Sequence, residues 1–180
     1  MIAGMNIDTG QKTWLTPKWI VDALGPFDMD PCVPDHMPWS TAARMVTKEE
    51  DGLVVPWEGT VWLNPPYGKE SLPFLRKMAS HRNGVALLFG RTDTRAWHTY
   101  VFPVCDSVLF MRGRISFYHE DGTCAGAANA PSALVSYTPA FTTKLQDAGI
   151  PGYLVKCTGR RGMCTMDDDP AGQEACDGNG

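Results

Sequence analysis

Apolar and polar positions recur along the chain in two rhythms, one of period two and one of period near 3.6, and each predicts a different element. Val85-Ala86-Leu87-Leu88-Phe89 is apolar without a break. That is the pattern of a central parallel strand covered on both faces. Residues 60–63, 107–111 and 133–137 read as further strands. Residues 27–32 alternate and read as a short strand ending in a turn, 115–118 resumes extension, and 153–157 reads as an edge strand. The nearness of 115–118 and 133–137, with a Gly/Asp-rich loop at 119–126 between them, predicts an antiparallel hairpin in the C-terminal half. Helical spacing appears at 18–24, 72–81, 95–102 and 140–149, with a single helical turn at 40–45. Thr16 and Pro17 suit the N-cap and first position of the first helix. Asn83-Gly84 closes the second, and Thr94 or Asp93 caps the third. Strands alternating with helices predict an α/β fold.

One stretch organises the rest: Val61-Trp62-Leu63-Asn64-Pro65-Pro66-Tyr67-Gly68. The prolines lack an N–H and have fixed φ, so the backbone leaves the sheet at Asn64. Asn64 and Tyr67 then lie at a strand's carboxyl end, where open α/β sheets bind ligands. An amide oxygen and a neighbouring carbonyl are two fixed acceptors, matched to the two donors of an exocyclic amino group. An aromatic ring beside them offers a face on which a base stacks, worth about 1–3 kcal/mol. The bland alternative is a proline turn after a strand. Asp30, at the end of the 27–32 strand, can accept hydrogen bonds from a ribose or amino group. It can equally cap the turn that follows.

Composition changes this picture little. A chain of 180 residues can bury a sizeable core, and no apolar run approaches the ~20 residues needed to span a bilayer. The first eleven residues lack the basic and apolar regions of a signal peptide, so the expected location is the cytoplasm. The six cysteines show no Cys-x-x-Cys spacing, which leaves a zinc site unsupported and no metal expected. Charge matters more. The net charge is −4, which argues against a nucleic-acid partner, but its distribution reverses the argument. Five acids and no Lys or Arg follow Met166, whereas residues 69–114 hold eight Lys or Arg against three Asp or Glu. A basic face can therefore exist on an acidic protein. Arg91, Arg95, Arg112 and Arg114 are the candidates for phosphate contacts, ion pairs or structural hydrogen bonds being the alternative for each. Arg112 and Arg114, two apart on an extended segment, would share a face. Residues 1–13 read as a loose arm, 14–160 as the main domain, and 161–180 as a disordered acidic tail.

Asn64-Pro65-Pro66-Tyr67 resembles the Asn/Asp/Ser-Pro-Pro-Tyr/Phe/Trp signature of amino-methyltransferases that use S-adenosylmethionine. The resemblance widens when other pieces are taken in order. They are Trp14-x-Thr16-Pro17, Phe27-Asp28-x-Asp30-Pro31-Cys32, Asp51-Gly52-Leu53, Trp57-x-Gly59-x-x-Trp62, Arg91-Thr92-Asp93-Thr94, Arg112-Gly113-Arg114-Ile115-x-Phe117 and Pro131-Ser132-x-Leu134-Val135. Together, over about residues 14–138, they resemble the compact phage-type DNA N6-adenine methyltransferases, the phage Dam family. The resemblance implies a compact Rossmann-like methyltransferase fold with a mixed sheet, and shielding of phage DNA from host nucleases in a bacterial cytoplasm. It implies S-adenosylmethionine near Thr16, Pro17, Asp30 and Pro31, and DNA as partner. It assigns base binding and catalysis to Asn64, Pro65, Pro66 and Tyr67. In that scheme a flipped adenine stacks on Tyr67, while the Asn64 side-chain oxygen and the Pro65 carbonyl accept the two N6 hydrogens. No covalent intermediate is needed. One departure stands out: no glycine loop follows Asp30-Pro31-Cys32, where methyltransferases commonly have Gly-x-Gly. Competing readings are an amino-methyltransferase acting on cytosine N4, RNA or a glutamine side chain, and a non-catalytic DNA-binding remnant.

Overall fold

A computed structural model describes residues 14–157. The expected N-terminal arm and acidic tail lie outside the described residues. Nine strands and three α-helices follow in the order α1 (Lys18–Leu24), β1 (Met29–Asp30), β2 (Arg44–Met45), β3 (Val61–Leu63), α2 (Ser71–His81), β4 (Gly84–Phe89), β5 (Ser107–Met111), β6 (Ser116–Tyr118), β7 (Cys124–Ala127), β8 (Ser132–Ser136), α3 (Pro139–Asp147) and β9 (Gly152–Lys156). Seven strands form one mixed sheet in the order β2-β1-β3-β4-β8-β5-β9, and β6 and β7 form a separate two-stranded ribbon. Strands β1 to β4 run parallel, while β8 and β9 run antiparallel to their neighbours. Since β8 opposes both β4 and β5, those two point the same way. Asp30, Leu63, Phe89 and Met111 therefore end their strands at one edge of the sheet.

Alternation along β4 sends Val85 and Leu87 to one face and Ala86 and Leu88 to the other. The first face packs against Ile20 and Leu24 of α1, Phe141 and Leu145 of α3, and Phe117 of the ribbon. The second packs against Leu75 and Met78 of α2 and against Trp97 and Val101. Helices on both faces explain why β4 reads as continuous apolar sequence. Burial of apolar surface on both sides, about 25 cal/mol per Å², is the main force holding the layers.

Several sequence expectations shift for physical reasons. The expected hairpin between 115–118 and 133–137 does not form. Residues 119–123 close a tight turn, in which His119 N–H donates to the Thr123 carbonyl (2.9 Å) and Asp121 accepts from the Thr123 N–H (2.8 Å). Tyr118 therefore pairs locally with Cys124, and the wholly buried β8 takes the slot between β4 and β5. The helical turn expected at 40–45 does not form; Arg44 and Met45 within it make β2, pairing with β1. Residues 97–101 form a π-helix rather than an α-helix, with the Phe102 N–H donating to the Trp97 carbonyl five residues back (2.9 Å). Thr94 donates to the Arg91 carbonyl (2.8 Å) instead of capping it. Pro17, not Thr16, occupies the N-cap of α1, and no side chain caps that helix. Thr138 caps α3 by accepting from the Phe141 N–H (3.2 Å), and β9 is an edge strand.

Helix α2 ends with Arg82 in the left-handed region (φ 55°), and β4 begins at once with Gly84 at φ 150°. A Cβ on Gly84 would lie 2.0 Å from the Val61 carbonyl oxygen. That close approach sets the register Val61 to Gly84 on which the carboxyl edge depends. Gly84→Ala is expected to destabilise the protein by about 2–4 kcal/mol, from left-region strain plus displacement of β3. Urea unfolding should show a lowered midpoint.

Candidate active site

The chain leaves β1 toward β2 on one side, then returns to β3 and proceeds to β4 on the other. The carboxyl ends of β1 and β3 therefore flank a point where the connections diverge, and such a point opens a crevice. A cavity of about 560 Å³ lies there, within the range of small-ligand sites. It is lined by Asp30 and Pro31 from the end of β1, by Asn64, Pro65, Pro66 and Tyr67 after β3, and by Trp14, Leu15 and Thr16. Residues 51–53, Pro73, Phe74 and Glu120 complete much of the wall.

Asn64 is held by its amide nitrogen, which donates to the Trp14 carbonyl (2.8 Å). A flipped amide would set oxygen against oxygen, so this bond fixes the orientation. The Asn64 Oδ1 is buried and has no hydrogen-bond partner among the described residues. The Thr16 Oγ1 is likewise buried and unpartnered. Trp14 is itself placed by a two-way backbone pairing of Leu15 with Tyr118 (2.9 and 3.0 Å). The β6–β7 ribbon thus supports the segment that orients Asn64.

The Tyr67 ring stacks on Phe89 (centroids 4.2 Å apart, 14° between planes) and meets Phe117 edge-on at 6.0 Å. Phe89 therefore covers one face of the ring on which a base is expected to stack. Burial pushes the Tyr67 hydroxyl well above the ordinary tyrosine range, and its oxygen has no hydrogen-bond partner among the described residues. Phe89 went unnoticed in the sequence; its only signal is that it ends β4 at the same edge.

Asp30 is buried, at 4% exposure. Its Oδ1 accepts from the Cys32 N–H (3.0 Å) and its Oδ2 from the Thr41 hydroxyl (2.5 Å). It does cap the following turn, and each oxygen keeps a further lone pair. Desolvation raises its carboxyl to about 6, against the lowering effect of the Thr41 and Cys32 hydrogen bonds. Pro17 is buried and does not line the cavity. The glycine absent after β1 has a counterpart elsewhere in the chain: Gly52 backs onto Pro31, where a Cβ would lie 2.0 Å from its carbonyl oxygen.

The charges divide by location. Asp30, Asp35, Asp51, Glu70 and Glu120 line the cavity, with Lys48 as the one basic residue. Arg91, Arg95, Arg112 and Arg114 are exposed outside it. Arg112 and Arg114 do not share the face of a strand, because Gly113 bends the chain between them (φ 80°). Arg91 lies over the Phe89 ring at 5.9 Å. Among the described residues the ion pairs are Lys18–Asp22 and Arg44–Glu50, so none of the four arginines is engaged in one.

The model of the DNA N-6-adenine-methyltransferase (Dam) family matches residues 6–150. The chain belongs to that family. No curated protein and no solved structure gives a match. Membership in the Dam family implies methylation of adenine N6 in DNA, with DNA as the substrate. Among the described residues there is no cluster of three or more His, Cys, Asp or Glu able to hold a metal, and no helix long and apolar enough to cross a membrane.

Asp30 carries a pH dependence for this Dam-family chain. Its folded value near 6 exceeds the ordinary 3.8, so the folded state holds the proton more tightly. The resulting stability is full below about pH 4 and is lost as pH rises through 6. Asp30→Asn should remove about 3 kcal/mol of that fall, read from unfolding midpoints at pH 4 and pH 7.

Proposed function

We propose that this protein transfers a methyl group from S-adenosylmethionine to N6 of a flipped adenine in DNA, on a Rossmann-like methyltransferase scaffold. The observation that carries the reading is the Asn64 amide. Its nitrogen is tied to the Trp14 carbonyl, and its oxygen faces no partner at the buried rim of the cavity. An acceptor held without a donor favours a ligand that brings one.

The cavity suits the cofactor. A cationic sulfonium and ammonium favour an acidic chamber, and Thr16 and Asp30 offer a hydroxyl and a carboxylate to a nucleoside. Pro31 supplies apolar wall beside them, and Pro17 acts only by shaping the turn at Thr16. When bound, S-adenosylmethionine supplies an electrophilic methyl group. The chain's own residues do the rest. Asn64 Oδ1 and the Pro65 carbonyl would accept the two N6 hydrogens, which would free the nitrogen lone pair for the methyl group, and one of those protons would leave to solvent once the C–N bond forms. As positive charge grows on N6, the same acceptors stabilise it without reorganising. Pro65 and Pro66 keep the acceptors stiff, and Tyr67, backed by Phe89, walls the flipped ring. The base has to leave the helix, because N6 inside the stack cannot reach acceptors that line a cavity.

The exposed arginines at the same edge fit the DNA backbone. Arg91, Arg95, Arg112 and Arg114 are proposed to contact phosphates.

Asn64→Ala should abolish methylation, a loss of at least about 100-fold, while the unfolding midpoint changes little. Methyl transfer from labelled cofactor to unmethylated duplex, followed by nucleoside mass spectrometry, checks it. N6-methyladenine made by the wild type and absent from the variant supports the role. Retained turnover overturns it, and N4-methylcytosine as product would change the base. Replacing Arg112 or Arg114 by Ala should each reduce the slope of log binding constant against log salt by about 1. An unchanged slope, measured by fluorescence anisotropy with duplex DNA, would return that arginine to a structural role.

A further inference from the structure

Residues 51–57 hold the Asp51-Gly52-Leu53 motif and the Trp57 that opens the next, and no bond-making role above falls to them. Their geometry shows what they do. Asp51 sits in the left-handed region (φ 59°), and its backbone carbonyl accepts from the Val54 and Val55 N–H groups (2.9 and 3.2 Å). Its side chain accepts from the Leu53 N–H (2.9 Å). The turn so formed aims three carbonyls at one point. Lys77, from α2, fills that point, and its Nζ donates to the carbonyls of Gly52 (3.1 Å), Leu53 (2.8 Å) and Val55 (2.6 Å). The Trp57 indole N–H also donates to the Gly52 carbonyl (2.8 Å), and the Lys77 ammonium lies 5.3 Å from the Trp57 ring centroid. Gly52 is thereby pressed onto Pro31, close enough that a Cβ would lie 2.0 Å from the Pro31 oxygen. Asp51, Gly52 and Leu53 line the cavity, whereas Lys77 does not.

We infer that Lys77 is a positioning residue for cofactor binding, holding the 51–55 turn as the cavity wall beside Asp30 and Pro31. The inference rests on the reading that this end of the cavity takes S-adenosylmethionine. It also accounts for the missing glycine loop. The close backbone approach that such a loop provides after β1 comes here from Gly52, a distant residue locked in place from α2. Three converging carbonyls call for three donors on one atom, which an ammonium has. A planar guanidinium presents its donors as a fork and does not match that geometry.

The test is Lys77→Met, which removes the donors and keeps most of the stem, alongside Trp57→Phe, which removes one donor to Gly52. S-adenosylhomocysteine binding is measured by calorimetry on the full chain, together with steady-state methylation of duplex DNA. Lys77→Met should raise the Kd for S-adenosylhomocysteine and the KM for S-adenosylmethionine by about tenfold or more. The kcat at saturating cofactor and the KM for DNA should stay within roughly twofold. Trp57→Phe should shift the same constants in the same sense by less, and it decides the matter if Lys77→Met fails to fold. Unchanged Kd in folded variants, or a loss of kcat with Kd intact, overturns the role of Lys77. Failure of the wild type to bind S-adenosylhomocysteine overturns the cofactor reading itself, and the inference with it.

Discussion

The hydrogen bond from the Asn64 amide nitrogen to the Trp14 carbonyl joins residues 50 apart in sequence, and the site depends on it. It decides which end of the amide faces the cavity. It also carries a chain of support. Trp14 adjoins Leu15, Leu15 pairs with Tyr118, and Tyr118 belongs to the ribbon whose Phe117 packs in the core and touches Tyr67. Orientation of one side chain thus draws on the N-terminal segment, the β3 end and the ribbon together. Leaving a buried acceptor without a donor costs about 1–3 kcal/mol, a cost that a ligand bearing an amino group would relieve.

The second constraint is where charge lies. An acidic chamber and an exposed set of arginines occur at the same edge of the sheet. Such a division of charge favours a cationic small molecule inside the chamber and a polyanion at the surface. The net charge of the chain shows none of this, because it averages over the two regions and over acids that follow Met166. In the reading proposed above, this separation is what would let one edge take two ligands of opposite charge.

Much of the fold was legible in local pattern. The uninterrupted run at 85–89 announced a strand buried on both faces, the amphipathic 72–81 announced α2, and Asn64-Pro65-Pro66 announced a strand that must stop. Errors fell where a long-range partner outweighed a local preference. Residues 40–45 have no strong pattern of their own, and Arg44 and Met45 become a strand because β1 offers free hydrogen-bonding groups. Residues 132–136 form no hairpin with 115–118, because the slot between β4 and β5 buries Ala133, Leu134 and Val135 completely. The spacing at 95–102 is helical, but spacing alone does not distinguish an α from a π turn.

By itself, the sequence determined the kinds of chemistry present: a stiff acceptor-bearing tetrad, a strand-end carboxylate, a cluster of arginines and an ordered motif set that marks the Dam family. These are properties of residue type and of neighbours along the chain. The tertiary structure alone decided which amide atom of Asn64 is left unpaired, that Phe89 occupies one face of Tyr67, and that Pro17 stands off the cavity. It alone placed Gly52 against Pro31 and Lys77 over three carbonyls. Each of those depends on contacts between segments tens of residues apart, and no local spacing encodes the direction in which two distant surfaces meet.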